Sequence, residues 1–333
     1  MFDAVLVVSF GGPNGPDDIR PFLANVLRGR RVSPERVEEV AHHYELFGGV
    51  SPITAITRRQ ADGLQARLHD AGHPLPVYVG MRNWHPYLAD TLREMHAAGV
   101  RRAIGFIAAA QHSYSSCQQY RENVAAARAE LRAHGADIDV TFVESWFDHP
   151  GFIAANAAHV AEALARLDPA LQDAARLVCT AHSIPTPMAA SSRYREQLME
   201  SSRLVAEAAA IRDWTLVFQS RSGRPEDPWL EPDVCDYLRA AKAEGLRAAV
   251  LLPVGFVCDH IEVLYDLDRE AAQLCTEIGL PMVRADSAND DPRFLDMMAD
   301  IVLRTIRRHE TGRPLPLAPA AASEPQARPG RPA

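Results

Sequence analysis

Apolar and polar residues come in blocks along this chain. Short apolar runs occur at 4–9, 76–80, 102–108 and 140–144, and again at 175–180, 215–219, 248–252 and 281–285. Runs this short and this apolar predict buried strands. Between them, apolar positions recur every three or four residues, which predicts helices. These span 17–27, 34–44, 57–71, 86–97 and 120–134 in the first half, and 150–164, 194–211, 233–245, 261–278 and 291–307 in the second. Strand alternating with helix predicts an α/β fold built on parallel sheets with right-handed crossovers.

The two halves share a turn. Asp148-His149-Pro150-Gly151-Phe152 follows the fourth run, and Asp290-Asp291-Pro292-Arg293-Phe294 follows the eighth. Each places Pro where helix N-termini prefer it. Two chain segments can reach the same turn without duplication, but four strands a side point the same way. The expectation is two similar Rossmann-like domains, 1–149 and 150–310, each a four-stranded parallel sheet flanked by helices, with a cleft between them. Residues 311–333 are rich in Pro and Ala without periodicity, which predicts a disordered tail.

Composition narrows the classes. The 333 residues are 47% hydrophobic and 23% charged, enough for a full core. The net charge of −8 and a pI near 5.9 argue against a general nucleic-acid binder. The five cysteines show no CxxC or cluster spacing and no leader is evident, which predicts a cytoplasmic protein. The longest apolar run, near 248–258, is too short to span a bilayer. No GxGxxG or Walker loop is present, which disfavours a nucleotide enzyme.

The polar chemistry gathers after the strands, where α/β sheets bind ligands. The first strand ends in Ser9-Phe10-Gly11-Gly12-Pro13, the third in Gln111-His112-Ser113-Tyr114, the fifth in Thr180-Ala181-His182-Ser183 and the sixth in Gln219-Ser220-Arg221. The seventh leads into Asp259-His260-Ile261-Glu262. Glu262, Asp266 and Glu270 then fall four residues apart, on one helical stripe. An acidic stripe is often only the wet face of a helix, and a lone His is usually structural. Here His182 and Glu262 both stand where strands deliver ligands. An imidazole and a carboxylate together can bind a divalent cation or exchange protons near neutral pH.

Taken together, Ser9 to Pro13, Gly48-Gly49-Val50-Ser51-Pro52, Thr180 to Pro185, Ser220 to Gly223 with Trp229 to Pro232, and Gly255 to Asp266 resemble the ferrochelatases, over about residues 3–307. The resemblance implies Fe(II) insertion into a porphyrin, with His182 and Glu262 as catalytic and metal-contacting residues. It implies Asp266 and Glu270 as an acidic relay, and Phe10, Arg28, His43, Tyr44, Ser51 and Tyr120 as porphyrin contacts. Porphyrin and Fe(II) are then the partners, together with transient proteins that deliver iron or accept product. No cofactor is expected beyond the substrate Fe(II), and no iron–sulfur cluster, because the tail lacks cysteine. The segment Val26-Leu27-Arg28-Gly29-Arg30-Arg31 is short and basic where protoporphyrin IX enzymes carry an apolar lip. Its arginines are either solvated surface charges or partners for the four carboxylates of coproporphyrin III, the substrate we expect. Phe10 stands where some coproporphyrin enzymes have a Tyr able to ligate iron; Phe cannot. A protoporphyrin IX ferrochelatase, a cobalt or nickel chelatase and a non-catalytic tetrapyrrole carrier are the rival readings.

Overall fold

The computed structural model describes residues 1–29, 32–224 and 226–312. Strands β1 (Ala4–Ser9), β2 (Val77–Met81), β3 (Arg102–Ile107) and β4 (Asp139–Phe142) form one parallel sheet in the order β2-β1-β3-β4. Strands β5 (Ala175–His182), β6 (Trp214–Gln219), β7 (Ala248–Leu252) and β8 (Met282–Arg284) form a second in the order β6-β5-β7-β8. This is the α/β architecture the strand–helix alternation predicts, built twice with the same strand order. Central strands β1 and β7 are buried at every position, whereas edge strands β4 and β8 are nowhere fully buried. Helices cover both faces of a central parallel strand, so its sequence is an unbroken apolar run.

The first half carries helices α1 (Ile19–Val26), α2 (Pro34–Glu45), α3 (Ile53–Asp70), α4 (Leu88–Ala97) and α5 (Gln119–Ala133). The second carries α6 (Pro150–Leu164), α7 (Pro169–Gln172), α8 (Thr186–Ala190), α9 (Tyr194–Ala208), α10 (Val234–Ala243), α11 (Ile261–Tyr265), α12 (Ala272–Glu277) and α13 (Pro292–Glu310). Two π-helical segments interrupt this pattern. One, Tyr114–Gln118, runs into α5; the other, Asp266–Ala271, joins α11 to α12. The single helix predicted over 261–278 is therefore three consecutive pieces. Among the described residues, no helix is long and apolar enough to cross a membrane.

One hydrophobic core runs through both halves, from Val5, Leu64 and Phe106 to Leu177, Val250 and Leu252. Its junction is aromatic. The Trp146 ring lies 5.4 Å from Phe106, 5.4 Å from Phe152 and 5.8 Å from Phe294. Phe152 and Phe294 come from the two similar turns, in which His149 and Asp291 cap α6 and α13 with Pro at the first helical position. Both are fully buried, and truncating such a ring typically costs about 3–5 kcal/mol. Residue 150 begins α6, which packs against the second sheet and against α13. That last helix also lies along α3 and reaches β3. The last described helix thus returns to the first half. Beyond Gly312, the expected tail lies outside the described residues.

Candidate active site

In each sheet the connections run opposite ways from the two central strands, and their C-terminal ends open a crevice there. His182 is the last residue of β5, in register with Gln219 at the end of β6. Glu262 sits in the first turn of α11, reached from β7 through the loop 253–260. Gly255 lets that loop close on β5: its N–H donates to the Thr180 carbonyl at 3.1 Å, and a Cβ there would lie 2.5 Å from the Ala181 Cβ. The result is a His182 Nε2 to Glu262 Oε2 separation of 3.9 Å, with both side chains partly open to solvent. The other imidazole nitrogen, Nδ1, contacts the Ser183 carbonyl. A carbonyl only accepts, so Nδ1 carries a hydrogen, and Nε2 is the ring nitrogen that faces Glu262. Among the described residues, no group of three or more His, Cys, Asp or Glu side chains is placed to hold a metal ion.

The acidic stripe is shaped by the π segment. Four residues of α-helix turn about 40° past a full circle, so carboxylates spaced by four drift off one line. The wider π turn at Asp266–Ala271 turns less per residue and offsets that drift, and Glu262, Asp266 and Glu270 all face the cleft. Asp266 is the most deeply placed. Burial, with Glu262 and Glu270 nearby, pushes its carboxyl up to about 7. Opposing this, Gln219 donates to its Oδ2 at 3.1 Å and the Ser220 hydroxyl donates to the same oxygen. The Gln219 carbonyl in turn accepts from the buried Thr180 hydroxyl at 2.7 Å. Ser220 holds a left-handed backbone, φ 59°, to make its bond. Burial, with Asp233 and Glu39 nearby, also raises Glu270. Two neighbouring carboxyls thus hold protons more readily than a surface acid.

The facing wall has different chemistry. Phe10, Ser51, Arg82 and Tyr120 line it, from loops after β1 and β2, from the turn before α3, and from α5. Ser51 is pressed against Gly12, where a Cβ would approach its own Cβ to 2.6 Å. The Arg82 guanidinium lies 5.8 Å from the Phe10 ring centre and 5.6 Å from that of Tyr120. Burial holds the Tyr44 and Tyr120 phenols well above their ordinary range, so both stay neutral. Cys258 also faces the cleft, but burial pushes its thiol up to about 12. The His43 ring of α2 stacks on Tyr265 of α11, centroids 3.5 Å apart, and burial lowers its basicity. The cleft between the walls measures about 1330 Å³. That exceeds the roughly 300–1,000 Å³ of ordinary small-ligand sites.

Of the residues singled out in the sequence, His182, Glu262, Asp266, Glu270, Phe10, His43, Tyr44, Ser51 and Tyr120 line this one cleft. Arg28 does not. It is exposed at the end of α1, with its guanidinium turned back to Asn25 Oδ1 at 2.7 Å. Arg30 and Arg31 lie outside the described residues. Sequence reasoning missed Arg82 and the hold of Gln219 and Ser220 on Asp266. Arg82 follows β2, and the rule that singled out His182 at a strand end would have found it.

By fold, the chain stands with two-sheet chelatases. The sirohydrochlorin chelatase SirB of Bacillus subtilis matches with a TM-score of 0.56 at 10% identity, over 93% of this chain and 98% of its own. Sequence goes further: the ferrochelatase family model matches residues 2–306, and the chain belongs to the ferrochelatase family. A ferrochelatase of Rhodopirellula baltica is 51% identical over 302 residues, 90% of this chain and 85% of the relative. Coproporphyrin III ferrochelatases of Streptomyces griseus and Mycobacteroides abscessus are 47% and 46% identical, over 91% and 94% of this chain and 85% and 90% of theirs.

Proposed function

We propose that this protein inserts Fe(II) into coproporphyrin III. What supports the choice of porphyrin is five arginines on the cleft wall, Arg36, Arg82, Arg221, Arg224 and Arg239, of which Arg36, Arg224 and Arg239 would exchange a protein carboxylate, Glu39, Asp227 or Asp236, for one of the substrate's. Guanidinium groups recognise carboxylates. Coproporphyrin III presents four of these and protoporphyrin IX two, so an arginine-rich cleft favours the former. The names carried by the Streptomyces and Mycobacteroides relatives support the same choice.

Insertion exchanges two pyrrole protons for one Fe(II), which must shed its water. In our reading, His182 Nε2 receives a pyrrole proton at the ring face. Glu262, 3.9 Å away, stabilises the imidazolium and meets the incoming cation. Asp266, with a carboxyl near 7, then takes and releases protons without a large energy step, and Glu270 passes them outward. The Phe10, Arg82 and Tyr120 wall holds the other face of the ring and brings it no ionisable acceptor. Fe(II) and porphyrin are both substrates, and transient partners supply the one and accept the product.

An anaerobic assay with Fe(II) and each porphyrin in turn, followed by the porphyrin absorption bands, tests the proposal. Rapid loss of coproporphyrin III alone is expected. Preference for protoporphyrin IX would overturn the arginine argument and keep the reaction. Tight binding of either ring with no insertion would favour a carrier.

A further inference from the structure

The loop 253–260 brings Glu262 to His182, yet it forms neither helix nor strand. What holds it comes from thirty residues further along the chain. Asn289 closes a two-point clasp on Asp259: its Oδ1 accepts from the Asp259 backbone N–H at 2.9 Å, and its amide donates to Asp259 Oδ2 at 3.1 Å. Its own backbone N–H donates to the Val257 carbonyl at 2.9 Å. Asn289 adopts a left-handed backbone, φ 46°, which Asn tolerates better than most side chains. The same residue also reaches the first half, because its carbonyl accepts from the buried Gln60 amide of α3 at 2.7 Å. Next to it, Asp290 accepts from Arg59 Nε at 2.8 Å and Nη2 at 3.0 Å. Asp259 is completed by Ser287 Oγ at 2.8 Å and Arg284 at 3.1 Å.

We infer that Asn289 is a positioning residue for metal insertion, fixing the Glu262 loop to the second sheet and, through Gln60, to α3 of the other half. It touches neither ring nor iron. Its effect passes through Asp259, three residues before Glu262. Since a displacement of about 1 Å can cost up to about a hundredfold in rate, losing the clasp lowers turnover more than porphyrin binding. This inference rests on the assignment of Glu262 to the reacting wall.

The test uses the full chain and four forms: wild type, Asn289→Gly, the exchange Asp259→Asn with Asn289→Asp, and Glu262→Gln. Asn289→Gly keeps the left-handed backbone and removes only the side-chain clasp. We expect its kcat to fall about tenfold or more and its KM for Fe(II) to rise, with porphyrin affinity by fluorescence quenching within about threefold of wild type. Amide hydrogen exchange should rise over 253–264 and stay unchanged over β1. The exchange variant restores donor against acceptor, because an amide at 259 still accepts from Arg284 and Ser287 while donating to a carboxylate at 289. It should recover most of the rate, as a role in folding alone would not require. Wild-type kcat and wild-type exchange in Asn289→Gly, beside an inactive Glu262→Gln, would overturn the inference. An active Glu262→Gln would instead strike the underlying site assignment, leaving the hydrogen-exchange comparison to decide whether Asn289 holds the loop.

Discussion

The two sheets share one strand order, and each sends a central-strand end and a π-helical segment into the cleft, yet the walls they make differ. After β1 and β3 stand Phe10 and, past the Tyr114–Gln118 π segment, Tyr120. At the corresponding places after β5 and β7 stand His182, Glu262 and, within the Asp266–Ala271 π segment, Asp266. One wall has rings and a guanidinium that keep their charge state across the neutral range. The other sets the His182 imidazole and the Glu262 carboxylate beside Asp266, whose carboxyl is pushed up to about 7. In the function proposed above, a flat substrate between them would be held from one side and worked on from the other. Topology sets where side chains arrive, and residue identity alone divides the labour.

The sharpest test of that division is His182→Ala. Removing the proton acceptor should cut insertion by about 10²–10⁴-fold while porphyrin affinity, read by fluorescence quenching, changes little. A near wild-type rate would end the distinction between the walls. Next comes Asp266→Asn. In the wild type, kcat should rise with pH to a plateau above about 7, as the Asp266 carboxyl becomes able to accept a proton. The variant should lose about ten- to a hundredfold and lose that rise. Stability should move the other way. The native state binds the Asp266 proton more tightly than the unfolded chain does, so wild-type stability from this group is present below pH 4 and lost as pH climbs through about 7. The variant avoids that loss, and its melting midpoint should overtake the wild type at pH 8 by an amount worth at most about 4 kcal/mol.

On the holding wall, effects should appear in binding. Arg82→Leu should raise the porphyrin KM about tenfold and move kcat less, with a larger effect for a four-carboxylate ring than for a two-carboxylate one. The smallest change should be Phe10→Tyr. A hydroxyl added where no reaction step occurs should leave the insertion rate within about threefold, under about 0.7 kcal/mol in the barrier. A larger change would mean that iron is handled from both faces.

Much of this was legible in the sequence, for a local reason. Each strand in the interior of a parallel sheet is its own apolar run, and the four edge strands lie between well-marked helices, so all eight appeared within a residue or two of their observed places. His182 was readable because it closes such a run, and Glu262 because it opens the helix that follows the loop after one. The short helices α7 and α8 were missed, since four or five residues carry no periodicity. The π segments were missed because apolar spacing at 261, 264, 267, 271 and 274 satisfies an unbroken α-helix equally well. The clamp of Gln219 and Ser220 on Asp266 joins residues more than forty positions apart, and nothing local marks it. Arg28 drew attention by lying among other arginines; Arg82, between Met81 and Asn83, looked ordinary and lies in the cleft.

The return of α13 to the first half sets an order on the making of the molecule. A ribosome releases β1 to β4 with α3 well before the helix that covers them. Phe294, Val302 and Ile306 share a core with Leu64, Leu68 and Phe106. At about 5–20 residues per second, the roughly 150 residues of delay amount to about eight to thirty seconds. Through that interval the nascent first half shows an apolar face that α13 has yet to cover.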